Sequence, residues 1–166
     1  MFIQKTLVVL NQNTKRNTVD RVDKHSVYYY EYNRNKKYED MEFKYFKLSE
    51  FDSPDEPGSG EKNMDKNFVE LLDKARGYAQ VPFKITSGYR TQAYHDDLTR
   101  RGYKTSKTSA HLKGLAADIS TRDSKTRWAV INSLIKFGAK RIGIGETFIH
   151  VDIDSSRTED VMWTYY

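Results

Sequence analysis

The chain has 166 residues, a length that one hydrophobic core can stabilise. It contains no cysteine, which excludes a thiol nucleophile, a thiolate metal site and a disulfide framework, and leaves His and carboxylate side chains to bind any metal. The net charge of +5 serves solubility and is also compatible with an anionic partner, such as a cell wall rich in phosphate and carboxylate.

Residues 6–10 form an apolar run behind Lys5, but the run is far too short for a signal-peptide core or a membrane span. The expectation is a protein made in the cytoplasm, without export signal or membrane insertion. Residues 1–40 mix Asn, Lys and Arg with Tyr28, Tyr29, Tyr30, Tyr32 and Tyr38 and have no helical period. They are set apart as an N-terminal arm of unassigned role, with residues 41–166 as the folded domain. Such an arm can stack on bases, but a packed hairpin or a loose arm is the commoner outcome, and a nucleic-acid partner is not expected.

Residues 53–60, Ser-Pro-Asp-Glu-Pro-Gly-Ser-Gly, predict a turn-rich linker. Asp65 then caps an amphipathic helix with Phe68, Leu71, Leu72, Ala75, Tyr78 and Ala79 on one face. After Pro82, alternation of Phe83, Ile85 and Ser87 predicts a strand that ends at Gly88, with Arg90 just beyond it. A polar helix over residues 91–101 stops at Gly102, and its His95 is read as solvated. Residues 104–109 form a loop that leads into His111.

Residues 115–119 alternate as a strand, with Asp118 opposite the core face. Asp123 or Ser124 caps a third helix with an apolar stripe of Trp128, Ile131, Leu134 and Ile135, stopped by Gly138. Two strands follow, over residues 141–144 and 148–153, and the second puts His150 and Asp152 on one face.

A catalytic zinc takes three protein ligands and leaves a position for water. His111 and Asp118 are seven positions apart, with Gly114 between them to let the chain fold back, and His150 can reach them from a neighbouring strand. The HExxH helix of other zinc proteases is absent, because neither His25 nor His95 has the required partners.

The segment Ser109-Ala110-His111-Leu112-Lys113-Gly114-Leu115-Ala116-Ala117-Asp118 matches the S-x-H-x-x-G-x-A-x-D signature at each fixed position. With Ser87-Gly88-Tyr89-Arg90 upstream, and Gly143-Ile144-Gly145 before Phe148-Ile149-His150-Val151-Asp152, it resembles the M15 peptidases, which include D-alanyl-D-alanine carboxypeptidases and phage endolysins. The resemblance runs from about residue 45 to about residue 154.

It implies an α+β domain of the Hedgehog/DD-peptidase type, with a small antiparallel sheet and flanking helices, holding one Zn2+ through His111, Asp118 and His150. The implied activity is hydrolysis of peptidoglycan stem or cross-link peptides, as a D-Ala-D-Ala carboxypeptidase or an endolysin-type endopeptidase. Arg90 is suited to stabilise an oxyanion or to hold a substrate carboxylate, and Ser109 to bind substrate or tie the loop that delivers His111.

Relatives place an acid or a His two or three residues before the last ligand, where this chain has Thr147 and Phe148. Glu146 is therefore the preferred general base. Asp152 is the other choice, or else orients a ligand imidazole. The alternative function is a zinc-stabilised wall-binding or structural module without catalysis. A catalytic domain of this kind without an export signal fits a phage or viral protein released at lysis or carried in the virion.

Overall fold

The computed structural model describes residues 42–165; the expectations for residues 1–40 fall outside this range. The elements are α1 (Ser59–Asn63), α2 (Lys66–Ala79), β1 (Ile85–Ser87), α3 (Gln92–Arg100), β2 (Ala116–Ser120), α4 (Ser124–Lys136), β3 (Arg141–Ile144), β4 (Phe148–Asp152) and β5 (Val161–Thr164). Two 3-10 turns, Leu48–Phe51 and Ala110–Lys113, stand before α1 and before β2. The fold is α+β, as expected. No helix among the described residues is long and apolar enough to cross a membrane.

The five strands form one sheet in the order β1-β2-β4-β3-β5. Neighbours from β1 to β3 pair antiparallel, and β5 joins β3 in parallel, which makes the sheet mixed rather than purely antiparallel. Period-2 alternation then divides the sheet by chemistry. Ala117, Ile119, Ile142, Ile149 and Val151 face the helices, in a core shared with Phe51, Phe68, Val69 and Leu72 and with Val130 and Leu134 of α4. The opposite face carries Asp118, His150, Asp152, Arg141 and Gly143, whose positions are matched across the strands.

Helix starts follow their caps. Asp65, Thr91 and Asp123 each accept a hydrogen bond from a first-turn amide with a side-chain oxygen: Phe68 N at 2.9 Å, Tyr94 N at 3.0 Å and Thr126 N at 2.8 Å.

Three sequence expectations are corrected. The 53–60 segment is not a linker: the Asp52 carboxylate accepts from Gly58 N at 2.8 Å and Gly60 N at 2.7 Å, and Ser53 and Ser59 are buried. The stripe on α4 is turned, with Trp128 69% exposed and Ile135 53% exposed, while Val130, Ser133 and Leu134 are buried. Ser133 can face inward because its hydroxyl donates to Val130 O at 2.8 Å. His95 is buried rather than solvated, on the inner side of α3.

Candidate metal centre

Each of the three expected ligands reaches the polar face of the sheet by a different device. Asp118 and His150 are direct cross-strand partners on β2 and β4. Antiparallel pairing holds such side chains about 5 Å apart at Cβ, close enough to share an ion.

His111 comes from the 3-10 turn, which ends at Gly114 with φ +68°. A side chain there would meet both the strain of the left-handed region and the carbonyl of Asn63. The turn is pinned to the segment after β1 as well: Arg90 N donates to His111 O at 3.1 Å, and His111 Nδ1 lies 2.7 Å from Gly88 O. With its Nδ1 proton given to that carbonyl, His111 presents Nε2 as a lone pair.

The donor atoms converge on one oxygen. Asp118 Oδ1 lies 3.3 Å from His111 Nε2 and 2.8 Å from His150 Nδ1, and the two imidazole rings are 5.1 Å apart between centroids. Ligand atoms about 2.0–2.2 Å from a tetrahedral zinc lie roughly 3.3 Å from one another, so this arrangement fits one small ion with little adjustment. All three ligand atoms are within 4.8 Å of one another, and His111, Asp118 and His150 are at most 9% exposed.

Electrostatics suit ligation at Asp118 and His111. Burial pushes the Asp118 carboxyl up, but the adjacent imidazoles of His111 and His150 outweigh it and hold the group far below the usual carboxylate range. Burial dominates at His111 and lowers it, which favours the neutral ring that a metal needs. His150 is raised: burial opposes its charge, but its hydrogen bonds to the carboxylates of Asp118 and Asp152 prevail.

The remaining expected residues are placed as follows. Arg90 spans Ser87 Oγ through Nε at 2.8 Å and Asp118 Oδ2 through Nη2 at 2.8 Å, on the rim of the ligand set. Ser109 is buried at the start of the 3-10 turn and lines the cleft in front of it.

Asp152 sits behind His150. Its Oδ2 is 3.1 Å from His150 Nε2, while Oδ1 accepts from Arg141 Nε at 2.8 Å and from Asp154 N at 3.0 Å. Both oxygens are engaged, so Asp152 orients the imidazole and turns Nδ1 towards Asp118 and His111.

Glu146 is not brought to this group. It is exposed in the β3–β4 turn and is not among the residues that line the cleft. The reason is register. Because His150 pairs with Asp118, the residues before it run past Ser120 towards the far end of the strands.

The cleft has a volume of about 640 Å³ and adds residues that the sequence reading missed. Arg141 is one, and its signal was available, since it shares the alternation of Gly143 opposite His150 and Asp152 in the hairpin. Arg101, Lys104 and Arg157 also line the cleft, as do Trp163 and Tyr165 from β5 and the residue after it.

The sequence profile of the family described as Peptidase M15 matches residues 44–154. The chain belongs to the M15 peptidase family. No curated protein matches the chain significantly. Among solved structures, this M15 peptidase is similar to the L-Ala D-Glu endopeptidase ChiX of Serratia marcescens, at 20% identity and a TM-score of 0.45, covering 55% of this chain and 81% of that one.

Proposed function

We propose that this M15 peptidase is zinc-dependent and hydrolyses peptide bonds in peptidoglycan, either removing a terminal D-alanine as a carboxypeptidase or cutting within the stem or cross-link as an endolysin-type endopeptidase. The observation that carries the reading is the convergence of His111 Nε2 and His150 Nδ1 on Asp118 Oδ1, in a chain of this family. Zinc bound there supplies a Lewis acid that polarises the scissile carbonyl and makes water acidic enough to attack near neutral pH.

The protein's own residues hold and orient. Asp118 and the two histidines form the cradle, and Asp152, tied to buried Arg141, keeps the His150 ring from rotating. Arg90 stands where a guanidinium can meet a substrate oxygen while it braces Asp118. The cleft is lined by Arg90, Arg101, Lys104, Arg141 and Arg157 against the carboxylates Asp118 and Asp152, an excess of positive charge that favours wall peptides bearing free carboxylates. Nucleic acid is not needed to account for that charge. The site of action is the cell wall, as for a phage or viral lysis protein.

The engagement of both Asp152 oxygens and the position of Glu146 keep a second reading in play, a zinc-stabilised wall-binding module. Mass spectrometry of defined muropeptides after incubation with the zinc-loaded protein separates the two. Loss of a terminal alanine or an internal cut, abolished in His111→Ala, supports the peptidase; unchanged masses with retained wall binding support the module.

A further inference from the structure

Gly143 is the bare position in a row of paired residues that runs across the sheet: His150 on β4, Gly143 on β3 and Trp163 on β5. A Cβ at 143 would lie 2.6 Å from the ring of Tyr165 and 2.8 Å from the ring of Trp163. Both distances are shorter than real side chains tolerate, so the two rings occupy the space that any other residue would fill. That seat lets them lean over β3 to the imidazole of His150, with centroids 5.7 Å away for Trp163 and 6.2 Å for Tyr165. Arg141 backs the indole at 5.3 Å. Tyr165 is held in place by its own backbone, which donates to Ile144 O at 3.0 Å.

We propose that Tyr165 is a catalytic residue whose phenol O–H donates a hydrogen bond to the scissile carbonyl oxygen as that oxygen becomes negatively charged, and that the absence of a side chain at Gly143 is what admits it to the site. The proposal rests on the peptidase reading above.

Tyr165 lines the cleft together with Arg90, Asp118, His150 and Trp163, so its phenol O–H, a hydrogen-bond donor, borders the space that a substrate carbonyl would enter. Arg90, the other donor on the rim, already spends Nε on Ser87 and Nη2 on Asp118.

In the step itself, the oxygen of water bonds to the carbonyl carbon and the C=O π pair moves onto oxygen, where the Tyr165 O–H meets it without transferring its proton. The C–N bond then breaks as the pair returns, and the amine leaves with the proton that the water gave up.

The test compares wild type, Tyr165→Phe and Gly143→Ala on the muropeptide that wild type cleaves, with zinc content and thermal midpoint measured on each. Tyr165→Phe keeps the ring and loses only the hydroxyl. The expected result is a fall in kcat on the order of 100-fold with KM within about threefold and zinc content unchanged. A kcat within about threefold of wild type overturns the proposal, and so does a loss of zinc that accounts for the fall.

Gly143→Ala supplies a readout apart from activity. In a Trp128→Phe background Trp163 is the lone tryptophan, and its emission should shift to the red as the rings are forced off their seat. Unchanged emission overturns the seat. If wild type and His111→Ala both leave every muropeptide intact, it is the peptidase reading that has failed, and the emission result still stands or falls separately.

Discussion

At the scale of single residues, Asp118 concentrates the charge of the site, with one oxygen before two imidazoles and the other before Arg90. His111→Ala removes a proposed ligand and leaves the carboxylate short of a partner. Metal analysis of the purified variant should find zinc reduced from one ion per chain to a small fraction, with muropeptide cleavage lost. Asp152→Asn tests orientation rather than ligation. It keeps the shape but frees the His150 tautomer, so zinc affinity measured by competition with a chelator should weaken roughly 10- to 100-fold. Near-native affinity would show that Arg141 and Asp152 are a structural pair alone.

The convergence of His111, Asp118 and His150 was legible in the sequence because their geometry is local or nearly so, seven positions along a turn and strand, plus one hairpin strand. Glu146 lies outside the cleft because closeness in sequence to His150 is not closeness in space, and a strand carries its residues away at about 3.3 Å each. Tyr165 was illegible for the opposite reason. It reaches His150 only through a parallel pairing and an empty glycine position, neither of which leaves a local pattern.

Among the elements, helix starts were readable and helix faces less so. Asp65 caps α2 as its sequence suggests, and Asp65→Ala should lower stability by about 1 kcal/mol in chemical denaturation while leaving zinc content intact. The stripe on α4 was misplaced because periodicity weighs apolar character, whereas a small hydroxyl bonded to its own helix can be buried and a tryptophan can remain outside. Gly114 ties two elements together. It closes the turn that carries His111, and its carbonyl accepts from Asp65 N at 3.1 Å, where α2 begins. Gly114→Ala should cost at least about 2 kcal/mol by the same denaturation measurement, since the left-handed backbone alone accounts for 1–2. It should also displace His111, and a variant of unchanged stability would contradict that account.

For the whole molecule, Asp154 links segments that the sequence keeps far apart. Its carboxylate takes Lys113 Nζ at 2.9 Å, from the turn of His111, and Arg157 Nε at 3.2 Å, while Arg157 also grips Thr108 in the loop along the cleft. Burial pushes this acid up, but Ser156 and Lys113 together bring it down to about 2. A depressed acid stabilises the fold above its unfolded pKa near 4 and loses that contribution as pH falls towards 2. The shift corresponds to about 2 kcal/mol. Thermal melts between pH 5 and pH 2 should show wild type losing stability over that window, and Asp154→Asn should begin lower and decline less.

The direct pairing of Asp118 with His150 places the heart of the cradle on β2 and β4, two of the three strands with a neighbour on each side. Backbone amides in such strands exchange with deuterium mainly when the whole domain opens, whereas those of the 103–108 loop exchange through local excursions. The two halves of the cleft thus keep different time. The wall that meets substrate can rearrange many times over while Asp118 and His150 stay fixed.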